Sequence, residues 1–151
     1  MEESKGIRDY RDVIVWQQAM ELAESIYAVT KGWPKEEACG LTSQIRRAGV
    51  SVPANIAEGQ GRASTKEFLR HISVARGSLF EVETHTLLAQ RPGYLDAETA
   101  EKLLAIAARV SRLITGLTRS LQTSTNHHSP TTTHQPPTIF REVNDADTRA
   151  D

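Results

Sequence analysis

Apolar side chains recur along this chain in four blocks at steps of three and four residues, the spacing of helices that each bury one face. The first block is Val13, Trp16, Met20, Ala23, Tyr27 and Thr30, and the second is Leu41, Ile45, Ala48, Val52 and Ile56. Phe68, Ile72, Ala75, Leu79 and Val82 make the third, and Leu103, Ile106, Val110, Leu113, Leu117 and Leu121 the fourth. Helix punctuation falls between them. Asp12 and Asp96 are placed to cap the first and last helices, and Ser64 with Glu67 three residues on forms a capping box for the third. Gly32, Gly59 and Gly61 are expected to end helices through positive φ, and Arg91-Pro92-Gly93 ends the third helix near Gln90. Links this short favour antiparallel neighbours, so the pattern predicts an all-α, up-down-up-down four-helix bundle over residues 12–122.

The second block organises the rest. Beside its apolar stripe, Gln44, Arg47, Ser51, Asn55 and Glu58 line up on a neighbouring flank, so this helix has a polar edge as well as a core edge. Pro53 lies inside the helix, where it has no N–H to donate and crowds the carbonyl four residues back, so a kink is expected near Gly49 and Ser51. Gly49 adds roughly 1 kcal/mol of cost relative to alanine. Tertiary packing must offset both.

The 151 residues are enough for one domain with a real core. Residues 1–125 carry 16 Lys and Arg against 15 Asp and Glu, so bulk charge makes no case for a nucleic-acid partner; a local cluster would be needed. Cys39 is the only cysteine, which excludes an intrachain disulfide and suits a reducing compartment. No leading signal-like segment or membrane-length apolar run is present, so a soluble, cytoplasmic protein is expected. Residues 1–11 read as a flexible lead-in. Residues 123–151, rich in Thr, Ser, His, Pro and Asn, read as a disordered tail whose one apolar spot, Thr138 to Arg141, is a candidate docking segment.

Candidate chemistry is sparse. His71 and His85 are fourteen residues apart on one helix and cannot share a metal, while His127, His128 and His134 fall in the tail. Glu58 and Glu81 could face each other across adjacent helices, but the Glu-x-x-His pattern of di-metal bundles is missing, and charge pairing with Arg47, Arg62 or Arg76 is the favoured reading. No cofactor or metal site and no catalytic set is expected. Arg46, Arg62, Lys66 and Arg70 form a candidate nucleic-acid contact near the second hairpin, weighed against a solvated face tempered by nearby carboxylates. The Gly59-Gln60-Gly61-Arg62 turn is a weaker candidate phosphate cradle.

Several ordered phrases then fit together. Asp12 to Ala19 (DVIVWQQA), Gly40 to Arg47 (GLTSQIRR), Asn55 to Gly59 (NIAEG), Ala75 to Leu79 (ARGSL) and Glu81 to Thr84 (EVET) resemble the proteins encoded in intervening sequences of bacterial 23S ribosomal RNA genes, over about residues 10–122. The resemblance implies an antiparallel four-helix bundle that assembles into a ring-shaped homopentamer. A related branch, the accessory proteins of diversity-generating retroelements, works with a reverse transcriptase and nucleic acid. The implied partners are therefore other copies of the chain, RNA or DNA, or a nucleic-acid enzyme for which the protein acts as adaptor. No catalytic residues carry over. The matching Arg47, Asn55, Glu58, Arg76 and Glu81, together with Gln44 and Ser51, read as a polar inter-helix or inter-subunit stripe. Cys39, Pro92 and the tail depart from the family's pattern.

Overall fold

A computed structural model describes residues 13–126. Four helices account for nearly all of it: α1 Ile14–Thr30, α2 Leu41–Gln60, α3 Thr65–Gln90 and α4 Ala97–Asn126, with a 3₁₀ turn at Lys35–Glu37. Each helix packs on its neighbours in sequence and α4 closes on α1; the diagonal pairs do not touch. The pairings descend on one helix as they climb on the next. Thr30 meets Arg46 across α1 and α2, Asn55 meets His71 and Ser51 meets Ser78 across α2 and α3, Arg76 meets Thr115 across α3 and α4, and Gln18 meets Arg109 across α1 and α4. Adjacent helices are thus antiparallel, as the short links dictate.

The core is a continuous column of Leu22, Ile26, Ile45, Val52, Ile56, Ile72, Leu79, Val82, Val110 and Ile114, all but removed from solvent. For α2 and α3 the spacing marks the core line, Ile45, Ala48, Val52 and Ile56 with Ile72, Ala75, Leu79 and Val82, while Leu41 and Phe68 at the helix starts are partly buried and Thr86 and Ala89 extend the buried line beyond Val82. For α1 the stripe is rotated. Val15, Ala19, Leu22 and Ile26 face the core, whereas Met20 is half-buried and Tyr27 is exposed. The cause is a surplus of apolar positions on either side of the polar face formed by Gln17, Glu21 and Glu24, so periodicity alone admits two stripes and packing chooses one. In α4 the core line likewise passes through Ala100, Ala107 and Ile114, with Ile106, Leu113 and Leu117 on its flank.

Helix ends show several departures. Val13 occupies the N-cap of α1 without a side-chain cap, and Asp12 lies outside the described residues. Gly32 does not take positive φ; Gly93, at φ 84°, does, letting the Tyr94 N–H reach the Ala89 carbonyl at 3.0 Å. Gly61 at the end of α2 is right-handed (φ −79°), and Gly59 lies inside the helix. Its role is packing: a Cβ there would come within 2.6 Å of the Phe68 ring and 2.9 Å of His71 Cβ. Gly49 has the same kind of reason, because a Cβ would meet Ile26 Cδ1 at 2.6 Å. The α2 helix continues through Pro53, which is buried. Ser64 accepts the Glu67 N–H at 3.2 Å and Asp96 accepts the Thr99 N–H at 2.7 Å, so these two caps form as read. Thr123–Asn126, assigned by composition to the tail, extend α4, with the Thr123, Ser124 and Thr125 hydroxyls bonded to carbonyls four residues back. Residues 127–151, and with them Thr138 to Arg141, lie outside the described residues.

Candidate functional site

The richest polar constellation lies along the seam of α2 and α3, where Gly59 lets the two backbones approach. Ser78 Oγ donates to Ser51 Oγ at 2.9 Å; Asn55 Nδ2 donates to the Ser51 carbonyl at 2.9 Å and to its hydroxyl at 3.1 Å. Asn55 Oδ1 is 3.2 Å from His71 Nδ1, and Arg62 Nε donates to His71 Nε2 at 3.2 Å. Because an arginine Nε–H can only donate, His71 Nε2 is the acceptor and its proton sits on Nδ1, directed to Asn55. Glu58 pairs with Arg62 and lies 3.8 Å from His71 Nδ1. The chain of groups is therefore satisfied end to end, with donors and acceptors fixed in one order.

Of the polar stripe read from the sequence, Ser51, Asn55 and Glu58 belong to this network. Arg47, Ser51 and Glu81 share a recess of about 240 Å³ with Ala48 and Ser78. Arg76 leaves the seam and donates across the other side of α3 to Thr115 Oγ1 at 3.3 Å. Gln44 is exposed and lines a pocket at the far end of the bundle. Glu58 and Glu81 do not face each other: the Ser51–Ser78 register puts Glu81 level with Arg47, about 15 Å along α2 from Glu58. His71 and Ser78 are network members absent from the polar stripe read in the sequence, although Ser78 lies within the Ala75 to Leu79 phrase, because their partners are on α2 and only the register of the two helices brings them together.

The candidate nucleic-acid contact divides. Arg62, Lys66 and Arg70 gather around the α2–α3 turn, but Arg46 lies sixteen residues from Arg62, about 24 Å up the helix. There its Nε donates to Thr30 Oγ1 at 2.8 Å and its guanidinium sits 4.7 Å over the Tyr27 ring.

At the far end Glu37 acts as a clamp. One carboxylate oxygen accepts the Leu41 N–H at 2.9 Å, capping α2, and the other accepts the Tyr94 hydroxyl at 3.2 Å. Gly40 leaves room for that carboxylate. Loss of water around the Tyr94 phenol, then its bond to Glu37 and the charges of Glu37 and Glu36, hold it above its ordinary value. Trp33 packs on Tyr94 with ring centroids 5.9 Å apart. The adjoining pocket, about 440 Å³, is lined by Glu37, Leu41, Gln44, His85, Leu88 and Tyr94. Among the described residues, no cluster of three or more metal-ligating side chains occurs, and no helix is long and apolar enough to cross a membrane.

The outer surface carries an apolar ridge that periodicity did not mark. On α3, Val74, Phe80, Leu87 and Leu88 are 48–53% exposed. Between them is Gly77, where a Cβ would meet nothing within 4 Å. The surplus stripe of α1 forms the counterpart, a groove of about 450 Å³ in which Met20, Ala23, Tyr27 and Ala28 face Val50 and Pro53 of α2.

The sequence model for the 23S rRNA-intervening sequence protein family matches residues 11–116, most of the bundle. The chain belongs to that family. In fold, this family member is similar to the crystal structure of a protein with unknown function from the S23 ribosomal protein family of Bacteroides thetaiotaomicron VPI-5482. The TM-score is 0.65 and the identity 24%, over 70% of this chain and 98% of that one. No curated protein matches the chain.

Proposed function

We propose that this cytoplasmic family member is a non-enzymatic, self-assembling bundle, in which the α3 ridge of one copy enters the α1–α2 groove of the next. The observation that carries the reading is the ridge itself: four large apolar side chains half in water around a glycine inside a helix. Burying the exposed half of each such side chain contributes about 1 kcal/mol, half the value for full burial, and a helical glycine costs about 1 kcal/mol against alanine. A neighbour's backbone seated over Gly77 accounts for both.

The groove suits this occupant in shape and charge. It is apolar, and Phe80 lies near the height of Val50 and Tyr27, given the Ser51–Ser78 and Gly49–Ile26 contacts. Glu81 and Glu83 flank the ridge, while Lys31, Arg46 and Arg47 flank the groove. Glu24, also in the groove, matches Arg76 on the ridge helix. Ridge and groove are different patches, so the contact is head-to-tail, and copies set at one height close into a ring. Five copies is the number that the family resemblance implies.

Light scattering on the full chain tests this. The expected result is one multi-copy species, reduced to single copies by Phe80→Asp or by Val50→Asp. Each variant retains one good patch, so mixing the two should give a one-to-one dimer and nothing larger. A single-copy wild type, or a mixture that stays unpaired, would remove the reading.

A further inference from the structure

We infer that the outer face of α3 and α4, near the α2–α3 turn, binds the phosphate backbone of double-stranded nucleic acid. The fold sorts charge. Residues 68–80 hold Arg70 and Arg76, and residues 102–126 hold Lys102, Arg109, Arg112 and Arg119; neither stretch contains a single Asp or Glu. These stretches are far apart in the chain and unremarked in a net charge of −1. The antiparallel register lays them side by side: Arg76 bonds to Thr115, and Leu69, Ile72 and Ser73 share a recess with Thr118 and Gln122.

Lys66 and Arg70 project from α3 one turn apart, about 6 Å. Arg112 and Arg119 project from α4 two turns apart, about 10 Å, on a stripe turned toward α3. All four are exposed, and among the described residues none has an ion-pair partner, whereas Arg62 and Lys102 do. Two rows of unneutralised cations on helices 8–10 Å apart make a strip about 20 Å long by the register of the seam. Ser73 and Gln122 lie on the floor between the rows and can donate to phosphate oxygens, whereas the Thr115 and Thr118 hydroxyls donate to the Ser111 and Ile114 carbonyls of their own helix. Of the phenylalanines in this stretch, Phe68 is packed against Gly59 and Phe80 stands at the end of the strip away from the α2–α3 turn, so the floor between the rows offers no series of stacking platforms. Backbone contacts without stacking suit a duplex better than a single strand, and read charge and shape rather than sequence. The face borders the apolar ridge, with Val74 one turn beyond Arg70 and Arg112 level with Phe80 by the Arg76–Thr115 register, so binding should persist in the Phe80→Asp background, where copies do not assemble.

Fluorescence anisotropy with a 30-base-pair DNA duplex of arbitrary sequence tests it on the full chain. Binding should be measurable at 50 mM salt, and log affinity should fall against log salt with a slope of about −4, one unit per phosphate contact. Arg112→Gln with Arg119→Gln should lower that slope by about two units and weaken binding on the order of tenfold. Lys66→Gln with Arg70→Gln should do the same, and far-ultraviolet circular dichroism would check that both pairs keep their helices. Lys35→Gln, exposed at the opposite end of the bundle, should leave affinity unchanged. No binding at 50 mM salt, an affinity indifferent to both double variants, equal binding of polyglutamate, or tighter binding of the single strand would each overturn the inference.

Discussion

At the scale of single residues, glycines separate packing from surface roles. Gly59→Ala would push a methyl into Phe68 and His71 where α2 and α3 approach most closely, and overpacking of this kind costs about 1–3 kcal/mol. Gly77→Ala meets no atom of its own chain, so in a Phe80→Asp background it should raise stability by up to about 1 kcal/mol. Urea denaturation of the two variants checks the contrast; in the unaltered chain, Gly77→Ala should weaken assembly while Gly59→Ala weakens the fold. Tyr94 supplies a test by pH. Its folded-state value is raised, so its contribution is whole below 10.0 and declines as pH climbs through the folded value. Tyr94→Phe should flatten the alkaline limb of a stability–pH curve above 10.0.

At the scale of helices, local signals were legible where one residue acts on its own backbone. The caps at Ser64 and Asp96 and the start of α3 follow from sequence spacing, because a cap needs only a side-chain oxygen and the N–H three residues on. Ser64→Ala should cost about 1 kcal/mol of stability, read as a shift in the urea midpoint. For Asp96 the Thr99 N–H holds the carboxyl below 3.8, so the cap's contribution is complete above that value and is lost as pH falls through the folded one. Asp96→Asn should accept the same N–H without titrating, and remove that acid dependence. What spacing could not decide was which apolar stripe of α1 would be buried, or that Gly59 serves a close approach rather than a stop. Both depend on the partner helix.

At the scale of the whole molecule, the bundle and its helix order were readable in the four apolar blocks, and the candidate sites less so. The reason is register. His71 joins Asn55, and Arg119 comes beside Arg70, only after helices of opposite direction are laid together, and linear charge counts average that away. The separation of Arg46 from Arg62 has the same origin: residues close in the sequence of one hairpin end up at opposite ends of a long helix. Thr123–Asn126 show the limit of composition, since a hydroxyl that disfavours helix in isolation can bond back to its own turn once a packed helix precedes it.

The lone thiol, Cys39, is exposed in the link just before α2, at the end away from the cationic strip. One maleimide dye can therefore be attached to every copy without altering the chain, clear of Phe80, Tyr27 and Arg119. Counting photobleaching steps from single fluorescent particles would then report the stoichiometry directly, and five steps per particle is the outcome expected for a closed ring.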